Sequence, residues 1–166
     1  MTADERPRIA VVIPKYGLVG GAEGFAAELT ERIAVQGRFD IHVFANRWRV
    51  RSDGVLFHRV PIVSFPRFLT VPSFAWFVGR SIRAAGPFDL IHTHDRIFRA
   101  DVYTMHGIPH RRWVRDVRKK RMSLFDRACT RTEASLISAG GCRRFLAVSD
   151  LTKEMFLGAY PVEPSL

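Results

Sequence analysis

Four short stretches of this chain carry residue types that could do chemistry. The first is Gly20-Gly21-Ala22-Glu23, which follows the apolar run 9–13 and precedes a segment of helical period. Glycines between a strand and a helix leave backbone N–H groups free at the positive end of the helix dipole, a site suited to phosphate or another anion. The same glycines could instead only turn the chain and let the helix approach the sheet. The second stretch is His92-Thr93-His94-Asp95, and the third is His106-Gly107 at the end of another apolar run. His92 and His94 alternate by two, so they share one side of an extended segment, and with Asp95 they imitate the H-x-H of a metal hydrolase. A third and fourth ligand are not evident in the sequence. His106 either bonds to backbone or offers a ring nitrogen to a ligand. The fourth stretch, 111–121, reads R-R-W-V-R-D-V-R-K-K-R, seven basic residues and one acid. It suits a solvated face, a nucleic-acid contact or a membrane surface.

Two common nucleotide fingerprints are absent. A G-x-G-x-x-G ending at Gly24 would need glycine where Val19 stands, and Asn46 and Arg47 occupy the place of the ribose-binding acid. No G-K-[ST] follows the glycines.

The elements that must position these residues follow from hydrophobic period. A buried strand over 9–13 ends at Pro14, and a helix from Ala22 carries Ala22, Phe25, Ala26, Leu29 and Ile33 on one face. Strands are expected at 39–46 and 55–62, with a charged loop at 47–54. A helix is expected from Ser73, after Pro72, to about Ala85, with Phe74, Phe77 and Val78 as its buried stripe. Strands at 88–92 and 101–106, a long helical region over 109–138, a strand at 145–149 and a short helix capped by Ser149 or Asp150 complete the chain. Strands alternating with helices predict an α/β domain. It is a Rossmann-like, doubly wound parallel sheet with helices on both faces, whose ligands gather at the carboxyl ends of the strands.

The 166 residues make one domain, and 47% hydrophobic content is enough for a core. A net charge of +10 implies an anionic partner: nucleic acid, an acidic membrane surface or a phosphorylated substrate. Cys129 and Cys142 lack metal-ligand spacing and read as reduced thiols. The acidic, polar residues 1–6 are wrong for a signal peptide, and no apolar run approaches the ~18 residues of a spanning helix. A cytoplasmic protein is expected, with the inner face of the cytoplasmic membrane available as a surface.

In their order and spacing, G-G-A-E, D-L-I-H-T-H-D, V-Y-T-M-H-G and F-L-A-V-S-D-L-T-K resemble the amino-terminal domain of glycosyltransferase family 4. These are retaining, nucleotide-sugar-dependent enzymes of the GT-B fold. The D-V-Y-T-M-H strand followed by a basic segment is also similar to glucosyltransferases that extend the lipopolysaccharide core. The resemblance implies that Gly20 and Gly21 face the donor diphosphate, that His106 lies beside the donor sugar, and that His94 and Asp95 serve the acceptor. It favours a membrane-surface role for Arg111, Arg112, Trp113, Arg115, Arg118 and Lys119, since acceptors in the family are often lipid-linked. A UDP- or GDP-sugar donor and a saccharide or lipid-linked acceptor are the implied partners. No cofactor or metal is held by this part, and no nucleic acid is expected. The family is two-domain, and its nucleotide-holding glutamates belong to a carboxy-terminal domain that residues 1–166 do not contain. The chain alone is therefore expected to be inactive. It departs from many relatives in having only residues 96–100 where they carry a helix. The competing reading is a basic, nucleic-acid-binding Rossmann-like module.

Overall fold

The computed structural model describes residues 6–18, 20–49, 53–138 and 140–162. The amino-terminal residues 1–5, part of the charged loop (50–52) and the end of the chain (163–166) lie outside the described residues, as does Val19. The first half of the chain runs β1 (Arg8–Val12), β2 (Lys15–Tyr16), α1 (Gly21–Ala34), β3 (Asp40–Ala45), β4 (Arg47–Trp48) and β5 (Val55–Arg59). A 3-10 turn (Arg67–Leu69), α2 (Thr70–Ala85), β6 (Leu90–Thr93) and β7 (Ala100–Met105) follow. The remainder is α3 (His110–Arg112), a π-helical turn (Trp113–Arg118), α4 (Leu124–Ser138), β8 (Cys142–Ala147) and α5 (Asp150–Leu157).

Six strands pair in the order β5-β3-β1-β6-β7-β8, every neighbour parallel. Parallel sheets are stable only when both faces are covered, which is why the strand cores read as unbroken apolar runs. Val11, Ile13, Ile41 and Val43 pack on one face with Ala26 and Ala27 of α1. Ala10, Val12 and Phe44 pack on the other with Phe74 and Val78 of α2, Leu136 of α4 and Phe156 of α5. The expected doubly wound, Rossmann-like arrangement is the one found. Its strand order reverses between β1 and β6, so a crevice opens there, beyond the carboxyl ends.

Several boundaries differ from the sequence expectation, each for a physical reason. The 47–54 segment is not only a loop, because Arg47 and Trp48 pair with Lys15 and Tyr16 in a small second sheet. The second long helix begins at Thr70 rather than Ser73. Pro72 lies in its first turn, where a missing N–H has no helical partner to lose. The buried stripe of α2 is Phe74, Ala75, Val78 and Ile82, with Phe77 only half-buried. On α1 the buried residues are Ala26, Ala27 and Thr30, and Phe25 is turned out with 47% of its surface exposed. The last strand is Cys142–Ala147, and Ser149 lies outside it as a helix cap, its Oγ accepting from the Thr152 N–H at 3.2 Å. Cys129 and Cys142 are buried and unbridged.

The 109–138 region is not one helix. It ends first at Lys119, whose φ of 50° is left-handed, and restarts at Leu124. The restart is a capping box: the Asp126 N–H donates to Ser123 Oγ at 3.2 Å, and the Ser123 N–H donates to Asp126 Oδ2 at 2.9 Å.

The missing helix between β6 and β7 is explained by how little chain must return. His92 pairs with Val102, so Ala100 begins level with Leu90. Residues 94–99 therefore climb back only about 10 Å. Ile97, 1% exposed, plugs the link into the core.

That link rests on Gly141, whose carbonyl accepts from the Ala100 N–H at 2.8 Å. A Cβ on Gly141 would lie 2.5 Å from the Phe98 carbonyl oxygen and 2.9 Å from that of Ser135. Gly141→Ala should cost about 1–3 kcal/mol by overpacking against backbone that cannot step aside. Gly24, inside α1 with open space around it, should behave oppositely: Gly24→Ala should stabilise by about 0.5–1 kcal/mol. Urea unfolding of the two variants checks both signs.

Candidate functional site

The crevice holds a pocket of about 180 Å³ between the start of α1 and the segments that follow β6 and β7. Ala22, His94, Asp95, Arg96, His106 and Glu133 are among the residues that line it. Gly20 is the residue before α1, with φ 149° and no side-chain cap, and Gly21 is the helix's first residue. They lead directly into Ala22, which lines the pocket, so the α1 amino terminus stands at its rim. One group already competes for that place. The Glu23 carboxylate lies over Gly20, so that a Cβ there would fall within 1.8 Å of Glu23 Oε2.

His94 and His106 meet directly, Nδ1 to Nε2 at 3.0 Å. The chain reaches this contact because the His94 N–H still donates to the Val12 carbonyl at 2.9 Å, one residue past β6. His106 is likewise the first residue past β7. His92 and His94 do share a side, with ring centroids 4.3 Å apart, but His92 Nε2 is engaged with Thr104 Oγ1 at 2.7 Å. Phe25, exposed on α1, sets its ring edge against both His94 and His106. Among the described residues, no group of three or more His, Cys, Asp or Glu side chains is arranged to hold a metal ion.

These histidines are neutral. Burial, and then its histidine neighbours, lower the His94 pKa to about 2; burial with the charge of His106 lowers that of His92 to about 4. Burial also lowers His106, against the pull of Asp95 and Glu23. Asp95 moves the other way. Burial raises its carboxyl, Arg96 opposes, and Glu133 and Glu23 add to the rise. The pocket thus offers neutral imidazoles and a carboxyl held above its ordinary range, a set suited to hydrogen-bonding hydroxyls rather than to capturing a free anion through side-chain charge.

The wall opposite α1 is organised by a residue that sequence reasoning missed. Glu133 is 2% exposed on α4 and accepts three hydrogen bonds. Arg96 Nε donates at 3.0 Å, the His110 N–H at 2.9 Å and the Tyr160 hydroxyl at 2.8 Å. A second buried acid, Asp126, accepts from His110 Nε2, Arg118 Nη1 and Ser123. Burial alone would raise the Asp126 carboxyl; Ser123, His110 and Arg118 reverse this and hold it well below the usual range. One signal was present in the sequence. Asp126, Cys129, Glu133 and Leu136 fall on one stripe of α4, so two acids stand on its apolar face.

The basic stretch borders the pocket but faces elsewhere. Arg111, Arg115 and Lys119 are exposed, whereas Arg112 donates to the Met155 carbonyl at 3.3 Å and Arg118 is tied to Asp126 at 2.9 Å. Trp113, 38% exposed, carries the Arg118 guanidinium 5.1 Å above its ring. The six proposed surface residues therefore divide into an exposed set and two arginines used inside the fold. Trp113 and Arg118 also line a separate groove of about 560 Å³ with Arg67, Phe68, Leu124 and Phe125.

Residues 19–165 match the family model described as Glycosyltransferase Family 4. No curated protein matches the chain. Among solved structures, the fold is similar to that described as the crystal structure of WaaG, a glycosyltransferase involved in lipopolysaccharide biosynthesis, with a TM-score of 0.79 and 16% identity. The match covers 94% of this chain but 42% of that one, so the chain spans less than half of the matched protein's length.

Removing the Glu133 carboxylate should disturb the whole wall. Glu133→Ala strands a backbone N–H and a phenol, leaves Arg96 only its 3.7 Å contact with Asp95, and should cost about 3 kcal/mol. That is the low end for a broken buried pair, because Arg96 keeps a quarter of its side chain in solvent. Glu133→Gln, which keeps an acceptor for His110 and Tyr160, should cost less than half of that. Urea midpoints of the two variants give the comparison; equal losses would mean that the charge paired with Arg96, and not the acceptor kept for His110 and Tyr160, holds the wall.

Proposed function

The chain belongs to glycosyltransferase family 4, and from that premise we propose that it is the acceptor-side domain of a retaining glycosyltransferase. The enzyme moves a sugar from a UDP- or GDP-sugar to a saccharide or lipid-linked acceptor of the cell envelope. A second, carboxy-terminal domain holds the nucleotide, and residues 1–166 alone transfer nothing. The observation that carries the reading is the meeting of the α1 amino terminus, His106 and Asp95 around one pocket at the strand-order reversal.

In this reading the donor diphosphate lies across Gly20 and Gly21 and displaces the Glu23 carboxylate from above Gly20. The bond from the anomeric carbon to the phosphate oxygen breaks while the acceptor oxygen approaches the same face. Negative charge builds on the departing phosphate, where preorganised N–H dipoles oppose it. The acceptor's proton passes to that phosphate oxygen. His106 hydrogen-bonds the sugar as positive charge develops at its ring, and Asp95 and His94 border the acceptor side. In the two-domain enzyme His106→Ala should lower kcat by ~10²-fold with little change in KM. Unchanged turnover with an intact fold would make His106 structural.

The exposed part of the basic stretch docks the domain on an anionic membrane, beside the acceptor. Arg111, Lys119 and Lys120 with Trp113 supply the contact, with Arg115 beside them paired to Asp116, while Arg112 and Arg118 stay in the fold. Each Lys or Arg near an acidic leaflet contributes on the order of 1 kcal/mol, screened over a Debye length. Co-sedimentation should show binding to anionic but not zwitterionic vesicles, weaker as salt rises. It should be lost in a variant with Arg111→Glu, Lys119→Glu and Lys120→Glu, which leaves the Arg118–Asp126 pair intact. Equal binding to both vesicle types, or none at low salt, refutes the membrane role.

A further inference from the structure

We propose that His94 is a positioning residue that fixes the tautomer of His106, so that His106 presents Nδ1–H, a donor, to an oxygen of the bound ligand. The inference rests on reading His106 as the ligand-facing group, and it concerns a residue one contact further from the chemistry.

The argument begins with an orphan atom. His94 is 6% exposed, and its Nε2 is buried with no hydrogen-bond partner. Its other nitrogen, Nδ1, is 3.0 Å from His106 Nε2, so one of those two atoms donates and the other accepts. Burial among His92 and His106 keeps His94 neutral, with one proton to place. If that proton were on Nε2, a buried N–H donor would have no acceptor. If it is on Nδ1, the orphan is only a lone pair. Unpaired buried N–H groups are the rarer and costlier kind. The proton therefore belongs on His94 Nδ1, which donates to His106 Nε2.

The consequence passes to the second ring. A neutral His106 whose Nε2 accepts must carry its own proton on Nδ1. No described residue bonds that nitrogen, and His106 is half-buried on the pocket wall. The group offered to a ligand is thus an N–H, matched to a sugar hydroxyl, ring or phosphate oxygen acting as acceptor. Protonating His106 would add a hydrogen at Nε2 and drive the His94 proton onto the orphan nitrogen. The pair therefore resists the imidazolium, even though Asp95 and Glu23 favour it from the post-β6 segment and α1; the apolar Phe25 ring packs beside His106 with centroids 5.3 Å apart. His92 cannot substitute for His94, since its Nε2 is engaged by Thr104.

Nitrogen-15 NMR of the 166-residue chain, labelled at histidine and recorded at neutral pH, reads the tautomer directly. His106 should show a protonated Nδ1 and a bare, hydrogen-bonded Nε2. His94→Phe keeps the ring but removes the donor, and the His106 Nδ1–H signal should be lost as the proton moves to Nε2. His94→Asn, whose side-chain amide can donate from nearly the place of Nδ1, should restore it. A wild-type His106 protonated at Nε2, or a folded His94→Phe variant with Nδ1–H unchanged, overturns the assignment. The wild-type spectrum alone decides the first point if a variant fails to fold. Because no donor or acceptor is present, a failure here is separate from a failure of the His106→Ala turnover test.

Discussion

A buried carboxylate with three donors is the contact on which this site depends. Glu133 sits on α4, yet it bonds the post-β6 link through Arg96, the post-β7 segment through the His110 N–H, and the chain after α5 through Tyr160. The link at Arg96 lies between strands, His110 opens α3 with an N–H that has no partner within its own helix, and Tyr160 lies past α5, so one acceptor ties together three places where regular structure begins or ends. A carboxyl group at 2% exposure is tolerable only when its oxygens have partners, which makes the three contacts mutually dependent. Asp126, two turns earlier on the same stripe, repeats the device for His110 and Arg118. The pocket wall is therefore a product of how α4 docks, although almost none of its chemistry is on α4.

The charge distribution follows a division of labour. The chain carries a formal net charge of +10, but the pocket holds one guanidinium, already paired, together with Asp95 and neutral histidines. Excess charge stands outside, on the 111–121 stretch and on the edge strand β8, where Arg143 and Arg144 are both exposed. Attraction for an anion inside the crevice must come from the backbone at the start of α1, where Glu23 now stands over Gly20. A phosphate arriving there exchanges one anion for another, so the electrostatic gain is a difference rather than a full charge–dipole energy.

Most of the architecture was legible in the sequence because hydrophobic period reports burial. Strands buried on both faces gave unbroken apolar runs, and the switch of period at Ala22 marked α1. His94, Asp95 and His106 were legible as polar residues at strand ends, and they do meet around one pocket. The direct His94–His106 bond was not legible, since it depends on the register of β6 against β7, which no local pattern encodes. Phe25 was assigned to the core by its spacing, yet tertiary contact with two histidine rings turns it outward. Arg96 and Glu133 are 37 residues apart, beyond any periodic signal. The acids on the α4 stripe were a visible anomaly, and the S-L-F-D capping box before Leu124 was a visible start signal.

The break in the basic stretch shows how one side chain can override helical propensity. Residues 111–121 hold good helix formers, and a regular α-helix would place Trp113 beside residues 116 and 117. Instead the segment opens into a π-helical turn, whose i→i+5 spacing brings Arg118 over the Trp113 ring at 5.1 Å. From there Arg118 also reaches the buried Asp126 carboxylate at 2.9 Å, a contact worth more than a surface helix bond because Asp126 is fully buried. Lys119 then takes a left-handed conformation, which ends the turn. The arginine that reads in sequence as part of a charged face is thus the one that fastens the segment to the core. What remains for a partner is Arg111 and Lys119 to Arg121, with Arg115 paired to Asp116, displayed around and just after the π-helical turn rather than along one regular helix.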